Sequence, residues 1–211
     1  NPTQVKSFGQ IDKKEMDIVE LADAIPEKYD YIIMDACLMG GVEVAYQLRD
    51  KCRFVGFSQT EVLAEGLNYK TLAGHLLGLS EPDPVQVCDD FYAYYEAQNG
   101  VERSATVSVV DCSRMEPLAE LCAELFDRYN SSISVLPSSI VQRYYRYNYH
   151  WFYDLESVLV EAGISAEELA LLHDALDKCV VYKAATPSFM DSFDINVYSG
   201  FSMFLPSDGG A

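Results

Sequence analysis

Tyr29-Asp30-Tyr31-Ile32-Ile33-Met34-Asp35-Ala36-Cys37-Leu38-Met39-Gly40-Gly41 is the stretch from which the rest of this 211-residue chain can be read. Ile32-Ile33-Met34 is apolar without alternation. A strand covered on both faces reads that way, so Tyr31 to Asp35 is expected as a central strand of a parallel sheet. The run ends in Asp-Ala-Cys and two glycines, and Val42 onward reads as a helix. A buried strand that delivers a cysteine to the turn before a helix is one way to build a nucleophile, which makes Cys37 the leading candidate. A structural cysteine at a strand end is the competing reading.

Working outward, Val42 to Cys52 is expected as a helix and Arg53 to Ser58 as the next strand, which together form a right-handed βαβ unit. Gln59 to Gly66 then forms a loop carrying Glu61 and Glu65. Open α/β sheets bind ligands beyond the carboxyl ends of their strands, so this acidic loop belongs on the same edge as Cys37. Upstream, Ile18, Leu21, Ala22 and Ile25 have the spacing of one helix face, predicting a helix over Lys13 to Ile25 capped by Asp12 and Glu15. Asn1 to Asp12 reads as an exposed entry segment with no cap or strand signal, and something is expected to precede it in the gene product.

Downstream, Tyr69 to Leu79 and Pro84 to Gln98 read as helices, Thr106 to Asp111 as a strand, and Glu116 to Tyr129 as an amphipathic helix. Composition shifts at Asn130 to a Ser-rich, Pro137-broken stretch. An aromatic cluster follows from Tyr144 to Tyr153, and helices are expected over Asp154 to Ala162 and Ala166 to Leu176. Cys179 to Ala185 and Gly200 to Leu205 read as strands rejoining the sheet. The division expected is a core over 1–112, a mostly helical appendage or insertion over 113–178, and closing strands over 179–211. Packing is the plainer reading of the aromatic cluster, and a substrate groove the sharper one.

The net charge of −18 argues against nucleic acid as a partner and is compatible with steering cationic ligands; solubility alone also explains it. No stretch has the unbroken apolar length of a membrane span, and no signal pattern opens the chain. The six cysteines lack CxxC pairs, so zinc is not indicated. Cys52, Cys88, Cys112, Cys122 and Cys179 lie in apolar segments and read as core residues.

A catalytic cysteine is activated by a lowered pKa, which the first turn of a helix can supply. Gly40 and Gly41 would let backbone approach a substrate, and the Cys37 N–H can stabilise an oxyanion. Asp35 falls on the same side of the strand as Cys37. A carboxylate is a poor activator of a thiol. It suits a pocket for a cationic side chain better, with Glu61 and Glu65 adding charge, against the plainer readings of a helix cap and solvated loop acids. A cysteine hydrolase also needs a base. His75, His150 and His173 are the histidines present, and none has a loop setting at a strand end to match Cys37.

Asp35-Ala36-Cys37-Leu38-Met39-Gly40 through Arg49 resembles the nucleophile segment of the clostripain family of cysteine peptidases. Lys6 to Gln10, Trp151 to Leu155 and Ser199 to Pro206 resemble its lead-in, carboxyl-terminal helix entry and closing strand. The resemblance implies a caspase-like α/β/α sandwich, mainly parallel in its sheet, in the group with caspases, gingipains and legumain. It implies an endopeptidase cleaving after Arg or Lys through a Cys/His dyad, with Cys37 as nucleophile, Asp35 in the basic-residue pocket and Glu65 as a second pocket carboxylate. It also implies self-cleavage into two chains, secretion or a bacterial cell-envelope location, and in some relatives calcium; no EF-hand loop is visible and no cofactor is required. The family's histidine precedes the lead-in, so the expected partner is a smaller histidine-bearing chain of the same precursor. The rivals are a non-catalytic caspase-like binding module and another cysteine acyl transferase, the latter disfavoured by Asp35.

Overall fold

The computed structural model describes residues 7–11, 14–78, 81–147 and 151–205. The elements in chain order are β1 (Ser7–Ile11), β2 (Lys14–Asp17), α1 (Ile18–Ala24), β3 (Tyr29–Ile33), α2 (Val42–Leu48), β4 (Cys52–Phe57), α3 (Tyr69–Leu77), α4 (Pro84–Glu96) and β5 (Thr106–Asp111). Then follow α5 (Met115–Ile133), β6 (Phe152–Asp154), α6 (Leu155–Glu161), α7 (Ala166–Cys179), β7 (Val180–Ala185), β8 (Ser188–Phe189), β9 (Phe193–Asp194) and β10 (Ser202–Phe204).

The main sheet has the order β3-β4-β5-β7. β3 runs parallel to β4, with Ile32 opposite Val55, whereas β4–β5 and β5–β7 are antiparallel. The sheet is therefore mixed rather than mainly parallel, and β3 is one of its two edge strands among the described residues, β7 being the other. The apolar run in β3 still has the cause inferred for it. Ile32 and Met34 pack into one buried cluster, and Tyr31 and Ile33 against the other, so both faces are covered.

Those clusters define an α/β/α sandwich. One face carries α3 and α4 through Leu76, Val87, Phe91 and Tyr95. The other carries α1, α2, α5, α6 and α7. The helical appendage expected over 113–178 is not confirmed. Leu118, Cys122 and Leu125 of α5 and Leu172 and Leu176 of α7 share one cluster with Val44 and Leu48 of α2 and Val55 of β4, making these helices one layer of the sandwich. The five cysteines assigned to the core are all buried and free.

Three local readings also change. The entry is a β1–β2 hairpin, and the first helix starts at Ile18, capped reciprocally by Asp17 and Glu20 rather than Asp12 and Glu15. β10 does not rejoin the main sheet; it pairs antiparallel with β6, while β7 does rejoin it. Tyr144 is fully buried within the aromatic cluster, and Tyr145 stacks on Trp151 at 6.1 Å. Tyr149 and His150 lie outside the described residues.

Asp154 ties β6 to α6, to Tyr144 and to Ser199. Fully buried at the end of β6, its carboxylate accepts from Ser157 N–H (3.0 Å), capping α6. It also accepts from the Tyr144 hydroxyl, the Ser199 N–H and the Ser199 hydroxyl, each at 2.8 Å. Burial pushes the carboxyl up from its usual range, and these donors pull it back. Asp154→Asn turns an NH2 toward groups that all donate. The variant is expected to lose about 2–4 kcal/mol of stability, read as a lower urea midpoint at unchanged slope.

Candidate active site

Cys37 lies in the turn between β3 and α2, its side chain exposed. The turn is clamped to the chain leaving β4: Leu38 N–H donates to Thr60 O at 2.8 Å, and Gly40 N–H to Ser58 O at 2.7 Å. Leu38 sits at φ 61°, the left-handed region a branched side chain seldom occupies. This kink turns Cys37 outward. Among the described residues the Cys37 N–H donates to no acceptor, whereas the Val62 N–H points at its sulfur at 3.3 Å.

Two expectations about this turn are corrected. α2 begins five residues beyond Cys37, capped by Gly41, so Cys37 does not sit in a helix's first turn. Gly40 and Gly41 are both buried, and Gly40 makes room for protein rather than substrate. A Cβ on Gly40 would meet the Gln59 side chain at 2.5–2.8 Å. Gln59 is itself fully buried, donating through Nε2 to Ser108 Oγ (2.7 Å) and to Gly200 O (2.8 Å).

Asp35 is exposed, two residues before Cys37. Its Oδ2 accepts from the Tyr69 hydroxyl at 2.8 Å and the Leu67 N–H at 3.2 Å. The segment from Glu61 to Tyr69 thus touches both candidate side chains, with Val62 at the sulfur and Leu67 and Tyr69 at the carboxylate. Glu65 is also exposed on this segment. Burial first, then the charges of Glu65 and Asp35, push the nearby Tyr95 hydroxyl up to about 12. Glu61 is committed elsewhere, accepting from Arg146 Nε at 2.7 Å. A water-sized crevice of about 10 Å³ lies behind Asp35, lined by Met34, Val62, Leu67 and Phe91, so a side chain of any size reaches Asp35 from its solvent face.

The described histidines are engaged away from Cys37. His75 Nε2 lies 2.9 Å from Asp90 Oδ2, and His173 Nε2 lies 3.0 Å from Glu156 Oε1. Among the described residues no group of three or more His, Cys, Asp or Glu side chains is gathered to hold a metal, and no helix is long and apolar enough to cross a membrane. The Val62 amide, Tyr69 and Arg146 carry no motif and were not singled out from sequence. Only their three-dimensional partners reveal them.

The clostripain family model matches residues 1–211, the whole chain. The chain belongs to the clostripain family. An inactive zymogen of a C11 protease from Parabacteroides distasonis superposes with a TM-score of 0.82 at 32% identity, over 92% of this chain and 57% of that one. A clostripain from Bacteroides thetaiotaomicron, solved with the peptide inhibitor BTN-VLTK-AOMK, matches with a TM-score of 0.82 at 28% identity, over 96% of this chain and 91% of that one. A secreted C11 cysteine protease from the same bacterium matches with a TM-score of 0.80 at 26% identity, over 96% of this chain and 60% of that one. The chain thus spans little more than half of the zymogen. No curated protein sequence matches it. The fold and family expected from the nucleophile segment are those found: a caspase-like α/β protein among the clostripain-family cysteine proteases.

The Arg146–Glu61 pair anchors the loop that brings Val62 to the sulfur, with both side chains largely covered (30% and 18% exposed). Arg146→Ala is expected to raise amide hydrogen exchange across residues 60–65 several-fold while leaving β4 and β5 unchanged. Mass spectrometry of exchanged peptides measures it, and an unchanged loop would refute the anchoring.

Proposed function

We propose that this clostripain-family chain is the cysteine-bearing part of an endopeptidase that cleaves after Arg or Lys. The observation that carries the reading is the pairing of an exposed sulfur, aligned by the Val62 N–H, with an exposed carboxylate two residues away on one strand end. Asp35 receives the cationic side chain, and Glu65 adds negative charge at the rim. Cys37 Sγ attacks the scissile carbonyl carbon, forming a C–S bond. The oxyanion that develops takes the Cys37 N–H, which is free of other acceptors among the described residues. A histidine takes the Cys37 thiol proton and gives it to the leaving amine as the C–N bond breaks; water then hydrolyses the thioester, releasing the carboxylic acid and restoring the thiol.

The histidine is assigned to a smaller chain of the same precursor, whose strand would pair with the outer edge of β3. That edge is unpaired among the described residues and ends at the Cys37 turn. Self-cleavage in the precursor and secretion belong to the same proposal, supported by the zymogen and the secreted protease among the structural neighbours. No calcium site is assigned, and no step is routed through one.

Two variants of the protein made from its whole gene test the reading. Wild type is expected to give two co-purifying chains and to cleave peptides with Arg or Lys at P1, while Cys37→Ala stays whole and inactive. Asp35→Asn is expected to lower kcat/KM for basic P1 peptides by about 10- to 100-fold, the worth of one charge-assisted contact. Equal processing of wild type and Cys37→Ala would sink self-cleavage. Absence of peptide cleavage by wild type would leave a non-catalytic binding module.

A further inference from the structure

We infer that Tyr69 is a specificity-determining residue that sets lysine above arginine at Asp35. The inference rests on the reading of Asp35 as the receiver of a basic side chain and adds which cation it takes.

An ionised carboxylate offers about four acceptor positions, two on each oxygen. On Asp35 both positions of Oδ2 are filled, by the Leu67 N–H at 3.2 Å and the Tyr69 hydroxyl at 2.8 Å. Oδ1 accepts no hydrogen bond among the described residues. The group is also backed by main chain. Gly66 sits at φ +60°, and a Cβ there would stand 2.6 Å from Oδ2 and 2.9 Å from Oδ1. The carboxylate of this exposed residue therefore has Oδ2 engaged and Oδ1 without a hydrogen-bond partner among the described residues, with Gly66 packed against both.

The two basic side chains use a carboxylate differently. A guanidinium gains most from a two-pronged contact that engages both oxygens, whereas an ammonium is a compact charge that one oxygen can serve. As built, the site suits the ammonium. A guanidinium either settles for one prong or displaces the Tyr69 hydroxyl from Oδ2.

Tyr69 is placed to act in this way and does little else. It is the first residue of α3, fixed by Asn68, whose side chain accepts from the Lys70 and Thr71 N–H groups. The residue is 63% exposed, so the hydroxyl contact rather than packing defines its position. The hydrogen bond to Asp35, and then that carboxylate's negative charge, push the Tyr69 hydroxyl up from its ordinary value, so it stays a donor throughout the neutral range.

The test uses the protein from its whole gene and three fluorogenic peptides identical except for Lys, Arg or norleucine at P1. Wild type is expected to favour Lys over Arg several-fold in kcat/KM. Tyr69→Phe removes only the hydroxyl and opens Oδ2. It is expected to move the Arg-to-Lys ratio of kcat/KM about tenfold toward Arg, the worth of one charge-assisted hydrogen bond. The change should fall mainly in KM, because the side-chain charge is the same in ground and transition states. A merely structural role for Tyr69 would scale both peptides alike. Such parallel loss, or an unchanged ratio, overturns the inference while leaving the basic pocket standing. Norleucine cleaved as fast as Lys, or no peptide cleaved at all, removes the pocket reading and the inference with it.

Discussion

Two main-chain hydrogen bonds govern the site: Leu38 N–H to Thr60 O and Gly40 N–H to Ser58 O. They force the chain leaving β3 to follow the chain leaving β4 for one further turn instead of diverging into α2. Leu38 must then adopt a positive φ, a cost of about 1–3 kcal/mol that an isolated turn would shed. The acceptors do not move to relieve it, because they stand on a buried polar shelf. Ser58, Thr60 and Thr106 interlink their hydroxyls at 3.1–3.3 Å, and the Gln59 and Thr60 N–H groups donate to Thr106 Oγ1. Buried hydroxyls are costly unless bonded, and a shelf in which each is bonded is correspondingly stiff.

The same shelf ties the distant end of the chain to the site. The Gln59 amide donates to Gly200 O and accepts from the Tyr198 hydroxyl, while Ser202 N–H donates to Gly40 O at 2.7 Å. Gly200 adopts φ +94°, with the Val180 side chain 2.9 Å from where a Cβ would stand, so only glycine passes here without displacement. Asp154 fixes Ser199 within this crossing. The residues behind Cys37 therefore come from β4, β5 and the 198–202 crossing together. The strained turn becomes fixed only when the long-range parts of the fold are in place.

The segment from β3 to Cys37 was legible as a strand end and a family signature because two independent signals coincide in it. The unbroken apolar run of β3 reports coverage on both faces, and Asp35-Ala36-Cys37 reports a strand end with chemistry on it. The sheet's direction was not legible. An apolar run distinguishes a covered strand from a half-exposed one, but it does not say which way the neighbours run, and β5 and β7 return antiparallel. Each helix after residue 113 carries its own apolar periodicity, but the layer it joins is not written in that periodicity. The Ser-rich break after Asn130 resembles a boundary, while the apolar face of α5 continues onto α2 regardless. Tyr69 and Arg146 carried no signal because their meaning lies in partners 34 and 85 residues away.

The placement of Asp35 resolves a conflict set by the sequence itself. A carboxylate two residues from a thiol opposes the charge that a nucleophile must develop. In the fold, one loop separates the two roles. Val62 presents an N–H to the sulfur, and Leu67 and Tyr69 present donors to the carboxylate on the side toward α3. Each negative or nucleophilic group thus has its own donors before any ligand arrives. A cation arriving at Asp35 would remove the remaining repulsion as well as bind. Under the proposed function, a substrate's own charge would then complete the electrostatics at Cys37, a physical reason for such a site to select a basic residue beside the scissile bond.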